Sequence, residues 1–320
     1  MMHAYLEFER PIAELEGKIV ELRKLAEEDP TMDIEDDVAR LQGKAQQLIN
    51  DTYGRLTPWQ KALVARHPAR PHFSDYVSGL IDEFTPLAGD RLFGEDRAVV
   101  AGLGRFRGQA VAVVGHEKGN DTKSRLKHNF GMAMPEGYRK AVRLFDLADR
   151  FQLPVISFAD TQGAYPGVGA EERGQAEAIA RATQASLALG VPFVAVIIGE
   201  GMSGGALGIA VANRVYMLEH SIYAVISPEG CASILWRSSE KAQDAAAAMR
   251  ITAADLLDLK VIDGIVPEPL GGAHRAPEQT IQAVGDTIAR ALGDMAGLSP
   301  AELRRQRREK YLAMGRNLVA

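Results

Sequence analysis

The first 70 residues repeat apolar side chains at helical spacing. Apolar positions recur at alternating steps of three and four over residues 12–26, and the pattern resumes over residues 34–48. Two such narrow seams, separated by the break at Asp29-Pro30, predict an antiparallel helical hairpin. The pair Thr57-Pro58 is typical of an N-cap and a first helical residue, so a third helix is expected there. We therefore expect an N-terminal helical region over residues 1–70, either a scaffold or a docking face for another subunit.

Alternating strand and helix patterns follow, in a second region that we place at residues 71–320. AVVAGLGRF and GQAVAVVGH are joined by a Gly-bearing turn and predict paired strands. The pattern then predicts a helix over 135–151, a strand over 154–160, a helix over 170–189, a strand from 191, and short strands over 214–220 and 222–227. The last 45 or so residues again have a helical pattern. The fold class predicted is α/β with helices at both ends.

Two glycine-rich loops each follow a strand and precede a helix. Residues 199–205 read GEGMSGG, and residues 160–167 read DTQGAYPG. A junction of this kind directs unpaired backbone N–H groups and the positive end of a helix at whatever lies in front of it. The pair of loops predicts an anion or oxyanion site, and two tight turns without a ligand are the alternative.

The loop over 199–205 matches two familiar short motifs. Gly199, Gly201 and Gly204 spell the dinucleotide fingerprint, but only about ten residues then precede the strand at Val215, too few for a parallel crossover with its helix. Gly201 to Gly205 also spell G-x-S-x-G, the nucleophile elbow of α/β-hydrolases. A serine esterase with Ser203 as nucleophile and His274 as base is therefore the alternative function, although helix capping is the favoured role of Ser203.

A third interpretation needs no side-chain nucleophile. Gly204 and Gly205 would present backbone N–H groups to a developing oxyanion, with glycine allowing close approach. The facing loop would add the amide of Gly163 or Ala164, and the sequence does not decide between the two.

Composition narrows the class of protein. The 46% hydrophobic and 25% charged residues are ordinary for a globular protein, and the longest apolar run, 191–198, is too short to span a bilayer. The first ten residues lack the pattern of a secretory signal, and a single cysteine is expected in a reducing cytoplasm. The net charge of −5 argues against general nucleic-acid binding, and the scattered histidines predict no metal site.

Almost the whole chain resembles the α subunits of bacterial acetyl-coenzyme A carboxylase carboxyltransferase. The segments that carry the resemblance are GHEKGNDTKSRLKHNFGMAMPEGYRKAVRL, FADTQGAYPGVGAEERGQAEAIA and IGEGMSGGALGIAVANRVYMLEHSIYAVISPEGCASILW, together with the N-terminal helices. Gln162 stands where the family usually has proline, and Met202 where it usually has glycine. Neither departure removes a proposed donor.

The resemblance implies a crotonase-like spiral of ββα units. It implies transfer of a carboxyl group from carboxybiotin to acetyl-CoA, which gives malonyl-CoA for fatty-acid biosynthesis. Biotin would be carried on a separate biotin carboxyl carrier protein and charged by biotin carboxylase. The chain would be active only with a β subunit, in an α2β2 assembly, and that subunit would hold a structural zinc and much of the acetyl-CoA site.

The resemblance also assigns roles to residues. The amides of Gly204, Gly205, Gly163 and Ala164 would form the oxyanion hole for the biotin ureido oxygen. Tyr165, Pro166 and Gly167 would shape the biotin pocket. Basic side chains would meet CoA phosphates or an acidic carrier, with a solvated surface as the alternative: Lys118, Lys123, Arg125, Lys127, Arg139 and Lys140. A solvated face is favoured for the basic run 304–310.

Overall fold

The N-terminal region is helical, as predicted. The computed structural model describes residues 4–29 and 32–316. The helices α1 (Arg10–Glu28) and α2 (Glu35–Tyr53) pack against each other and confirm the predicted hairpin. Asp29 closes α1, and Pro30 lies outside the described residues. Helix α3 (Pro58–Ala65) begins after Thr57, whose hydroxyl accepts a hydrogen bond from the Gln60 N–H, and α4 (Phe73–Leu80) follows.

One mixed sheet organises the second region. Its strands are β1 (Ile81–Pro86), β2 (Val99–Phe106), β3 (Gln109–His116), β4 (Val155–Thr161), β5 (Phe193–Met202), β6 (Arg214–Leu218), β7 (Ile222–Ala224) and β8 (Gly264–Val266). Their order is β1-β2-β3-β4-β5-β6-β8, and β7 pairs with the far end of β5. The first three strands pair antiparallel and the rest pair parallel. The α/β class is confirmed, while β1 and β8 were not predicted.

Helices cover the sheet and lead away from it. They are α5 (Thr122–Lys127), α6 (Pro135–Phe151), α7 (Val168–Glu172), α8 (Gln175–Ala188), α9 (Ser203–Ala210), α10 (Pro228–Trp236), α11 (Ala242–Ala248), α12 (Ala253–Asp258), α13 (Pro277–Asp294) and α14 (Pro300–Ala313). The single helix predicted over 170–189 is wrong. Gly174 adopts φ +81°, a left-handed conformation, and separates α7 from α8.

The solvated face predicted for residues 304–310 is wrong at Arg307. Its side chain is fully buried and donates to the carbonyl oxygens of Leu189 (2.6 Å) and Val191 (3.1 Å), and to the side chain of Asn213. Helix α14 is therefore tied to the body of the fold through this arginine, while Arg305 in the same run remains exposed.

The sheet core brings the two glycine loops together. Every residue of β4 and β5 is buried, as expected for parallel strands covered on both faces. Because β4 and β5 are parallel neighbours, the loops that follow them leave the same edge of the sheet. No helix among residues 4–29 and 32–316 is both long enough and apolar enough to cross a bilayer.

The domain boundary near residue 70 stays a prediction. Ala62 and Ala65 of the N-terminal region pack in one cluster with Met202 and Ile222 of the second region. Arg70 and Glu268 form a buried ion pair across the same boundary, at 2.8 Å.

Candidate functional site at two glycine loops

The two glycine loops touch at Gly205. A Cβ placed on Gly205 would lie 2.7 Å from the carbonyl carbon of Gly163 and 2.8 Å from the nitrogen of Ala164. Real side chains do not approach backbone that closely, so only glycine allows this contact. A Cβ on Gly204 would instead meet only the side chain of Ile179, at 3.2 Å. The structure thus brings together the four backbone positions that the sequence singled out.

The second loop ends in an uncapped helix. The N-cap residue of α9 is Met202, which offers no side-chain hydrogen bond to the first turn. The N–H groups at the start of an α-helix have no acceptor within the helix, so those of Ser203, Gly204 and Gly205 remain available to a ligand. Met202 is buried with Ala62, Ala65 and Ile222, which explains how a large side chain fits here.

Ser203 is the first helical residue, and the capping role predicted for it is wrong. Its φ is +55°, in the left-handed region that non-glycine residues rarely adopt, and its side chain is exposed. Strain of this kind costs on the order of 1 kcal/mol and is common at functional sites.

The first loop offers one free amide of the two considered. Gly163 has φ +131°, and its N–H donates to the hydroxyl oxygen of Thr161 at 3.1 Å. The Thr161 hydroxyl in turn donates to the carbonyl oxygen of Gly131 at 2.6 Å. Among the hydrogen bonds of the described residues, none uses the Ala164 N–H. The geometry therefore favours Ala164 over Gly163 as the donor.

A buried cluster of charges underlies both loops. The Lys118 ammonium group lies 2.8 Å from Asp160 Oδ1, at the start of the first loop, and 3.0 Å from Glu200 Oε2, in the second. Arg66 reaches the other oxygen of Glu200 at 2.7 Å and pairs with Glu229 at 2.5 Å. Burial alone would raise the pKa of Glu200, but Lys118 and Arg66 hold the pKa below its ordinary value.

Two titratable side chains near the loops, His116 and Tyr223, are not tuned for proton transfer near neutral pH. His116, beside the backbone of Gly205, is fully buried, and burial lowers its pKa to about 3. Burial raises the pKa of Tyr223 to about 12. An efficient general base has a pKa near the working pH, which neither group has. The site therefore offers hydrogen-bond donors more readily than a base.

The remaining residues of the first loop surround the free amide. The Tyr165 N–H donates to the Ala133 carbonyl oxygen at 2.9 Å, which fixes the backbone beside Ala164. The Tyr165 ring covers Gly167, where a Cβ would lie 2.3 Å from a ring carbon. Pro166 is exposed. These positions are compatible with a pocket wall.

The basic residues separate into two groups. Arg125 lines a cavity of about 140 Å³ together with Lys118, Asp160, Gln162 and Glu200. Lys123 and Lys127 are exposed on the same helix but do not line this cavity. Arg139 faces the Asp90 carboxylate at 3.5 Å. Lys140 is 2% exposed and pairs with Glu95 at 2.5 Å, so a surface or ligand-binding role for it is wrong.

His274 is engaged elsewhere in the fold. Its ring stacks on that of His67, with centroids 3.9 Å apart, and no hydrogen bond of the described residues joins it to Ser203. Glu9, His67 and His274 place possible ligand atoms within 4.8 Å of one another. However, His67 already uses both ring nitrogens, at the Ala4 carbonyl oxygen and the Ala69 N–H. This group is therefore poorly suited to hold a metal ion.

Comparison with known proteins decides the family. The profile described as "Acetyl co-enzyme A carboxylase carboxyltransferase-like" matches residues 5–315. The acetyl-coenzyme A carboxylase carboxyl transferase subunit alpha of Rhizobium leguminosarum bv. trifolii is 65% identical over 317 residues, which cover 99% of this chain and 100% of the relative. The chain belongs to this carboxyltransferase family. The subunit alpha of Parvibaculum lavamentivorans, 64% identical over 98% of this chain and 99% of its own, agrees. Nothing in these relatives supports a serine esterase.

Solved structures confirm the crotonase-like carboxyltransferase fold. Transcarboxylase 12S, with methylmalonyl-coenzyme A bound, has a TM-score of 0.58 at 18% identity, over 71% of this chain and 42% of that one. A Pseudomonas malonate decarboxylase hetero-tetramer in complex with coenzyme A has a TM-score of 0.54 at 18% identity, over 66% and 84%. The chain thus spans less than half of the transcarboxylase chain.

Sequence reasoning missed the charges and the hydroxyl that hold the loops. Asp160 and Glu200 are each the last charged residue before a glycine turn, which was a usable signal. Lys118 and Arg66 reach them only through the folding of separate segments, and the sequence suggested for Lys118 only a contact with CoA or an acidic carrier. Thr161 directly follows Asp160, but its role depends on Gly131, which is distant in sequence.

Proposed function

We propose that this chain is the α subunit of an acetyl-CoA carboxylase carboxyltransferase and contributes one oxyanion hole to a site shared with a β subunit. The observation that carries the proposal is the contact of Gly205 with the Gly163–Ala164 peptide. In this proposal, the N–H groups at the start of α9 and the amide of Ala164 would bind the same oxygen. One such donor contributes about 3 kcal/mol to transition-state stabilisation.

The donors suit the biotin ureido oxygen. Biotin, when bound, carries the carboxyl group that is transferred and leaves negative charge on its ureido oxygen. The amides of Gly204, Gly205 and Ala164 would stabilise that charge, and Thr161 would hold the first loop in register by binding the Gly163 N–H. Tyr165, Pro166 and Gly167 would form the wall beside it. The amides do not exchange a proton, so no side chain of this set needs to titrate.

The other partners follow from the family. We place the structural zinc and much of the acetyl-CoA site on the β subunit, in a cytoplasmic α2β2 assembly to which the biotin carboxyl carrier protein binds during turnover. Biotin carboxylase would recharge that carrier, and malonyl-CoA would be the product. Arg125, at the rim of the cavity next to the first loop, is our candidate for CoA phosphates or an acidic carrier, with Lys123 and Lys127 on the same helix extending the positive surface.

The β subunit would cover α10. Its last turn exposes Ile234, Leu235 and Trp236, with Leu235 64% exposed. The same helix carries Glu229, which pairs with Arg66 next to the buried charges of the site. An apolar helix end that adjoins an incomplete site is a natural place for the subunit that completes it.

Reconstitution tests the function. The purified chain, a β subunit of the same family and malonyl-CoA are incubated with free biotin, and carboxybiotin formation is followed. We expect activity with both chains and none with either alone. If the chain alone hydrolyses esters and a fluorophosphonate labels it at Ser203, the esterase is favoured instead.

A further inference from the structure

Strand β5 is irregular just before the second glycine loop. Ala159 pairs with Ile197, and the next pair is Thr161 with Gly201, so β4 advances by two residues while β5 advances by four. The extra residues of β5 include Gly199 and Glu200. Bulges of this kind redirect the strand that carries them and are frequent beside active sites.

Asp160 fastens this bulge from the neighbouring strand. Its Oδ1 accepts the Glu200 N–H at 2.9 Å, in place of a regular ladder bond. A Cβ on Gly199 would lie 2.5 Å from the same oxygen, so glycine is required for the carboxylate to reach in. The hydrogen bond between Asp160 and Glu200 therefore joins β4 and β5 where the two glycine loops begin.

Lys118 makes that contact electrostatically possible. Without it, the carboxylates of Asp160 and Glu200 would face each other with no cation between them, and like charges repel strongly in a largely buried place. The ammonium group bridges them at 2.8 and 3.0 Å. The absence of a side chain at Gly131 leaves space for the Lys118 side chain, because a Cβ there would lie 2.7 Å from Lys118 Cγ.

We propose that Lys118 is a positioning residue, whose ammonium group clamps the bulge of β5 to Asp160 and so sets the spacing of the two glycine loops. It touches neither loop amide and acts through the carboxylates. The inference rests on the proposed function only where activity is the readout.

Charges on the surrounding elements also face the clamp and enter its pH dependence. Two buried titratable groups lie within electrostatic reach, His116 of Lys118 and Tyr76 of Asp160. The charged residues are Arg66 after α3, Arg70 and His72 before α4, Glu117 after β3, Arg125 on α5 and Glu229 on α10. Apart from Arg125, each of them already has a partner of opposite charge: Arg66 with Glu200 and Glu229, Arg70 with Glu268, and His72 with Glu117. None of these pairs lies between Asp160 and Glu200, so Lys118 is the bridging charge among the described residues.

The test is the variant Lys118→Met, assayed with the β subunit between pH 6 and 9. Without the ammonium group, one of the two carboxyls keeps a proton at low pH and loses it as the pH rises, so repulsion grows with pH. For each protein, kcat at pH 9 is divided by kcat at pH 6. We expect this ratio to be at least tenfold lower for Lys118→Met than for the wild type. Lys140→Met, which removes another buried lysine that pairs with Glu95 and not with either of these carboxylates, should keep the wild-type profile shape. The double variant Lys118→Met/Glu200→Gln should lose the added pH dependence.

Hydrogen exchange of the chain alone separates this inference from the proposed function. In Lys118→Met, the hydrogen-bonded amides within residues 160–167 and 199–205, such as those of Gly163 and Glu200, should exchange at least tenfold faster at pH 8, and in Lys140→Met they should not. An inactive wild-type assembly would overturn the proposed function while leaving the exchange result to decide the clamp. Unchanged exchange in Lys118→Met, or a wild-type pH profile, would overturn the clamp.

Discussion

At the scale of single residues, the site depends on backbone more than on side chains. Gly205 is needed because another backbone passes where its Cβ would be, and Thr161 is needed because its hydroxyl occupies the Gly163 N–H. Ser203 is exposed and strained, and no side chain among the described residues forms a hydrogen bond with it. The residue that most resembles a nucleophile is therefore the one the proposed chemistry does not use.

Ser203→Gly tests this distinction. Glycine adopts the left-handed backbone without strain, so we expect carboxyl-transfer activity within about twofold of the wild type and stability within about 1 kcal/mol. Steady-state assays of the reconstituted enzyme and urea unfolding measure the two. Loss of activity with folding intact would point to a chemical role for the hydroxyl.

At the scale of elements, the sequence predicted the helices and strands that local periodicity and turn residues determine. The helix over 135–151 and the paired strands β2 and β3 follow from periodicity and turn residues, and were predicted closely. The break at Gly174 and the short strand β8 were missed, because a single left-handed residue and a three-residue strand have little pattern of their own. Tertiary pairing decides both.

Arg307 is the clearest case of a misleading local pattern. It stands in a run of charged residues, yet its guanidinium satisfies two backbone carbonyls at the ends of buried segments. Burial lowers the pKa of Arg307 to about 10, so the group remains charged at neutral pH. Sequence offered no means of telling it from Arg305.

Arg307→Met should therefore destabilise the chain by about 2–4 kcal/mol, because buried carbonyls lose their donors. Arg305→Met, in the same helix but exposed, should change stability by less than about 0.5 kcal/mol. Urea unfolding of both variants measures the difference. Equal losses of stability in the two variants would mean that Arg307 contributes no more than an exposed residue of the run 304–310.

At the scale of the whole molecule, the fold brings the two glycine loops together at one edge of the sheet. The resemblance to the family predicted the crotonase-like fold, which is confirmed. The glycine pattern alone suggested that the two loops face each other, and Gly205 does contact the Gly163–Ala164 peptide. The charges beneath the loops come from the segments that follow α3 and β3 and from β4, β5 and α10, so the sequence alone could not predict that they meet at one place.

Leu235→Glu tests the proposed subunit face. A charge on the exposed end of α10 should weaken association with the β subunit at least tenfold while the circular dichroism of the chain stays unchanged. Sedimentation velocity of the mixed chains measures it. Leu312→Glu, at an exposed position on α14, is the matched control and should assemble normally. Normal assembly of Leu235→Glu would show that the β subunit does not bind at the end of α10.

The most direct test of the central claim is kcat for carboxyl transfer by Gly205→Ala beside Gly204→Ala, each reconstituted with the β subunit. A methyl group on Gly205 collides with the Gly163–Ala164 peptide, whereas one on Gly204 meets only the Ile179 side chain. We predict a loss of about 100-fold or more for Gly205→Ala, of the size expected for one oxyanion donor, and less than about fivefold for Gly204→Ala. Full activity of Gly205→Ala, or equal losses in the two variants, would contradict an oxyanion hole built where the loops touch.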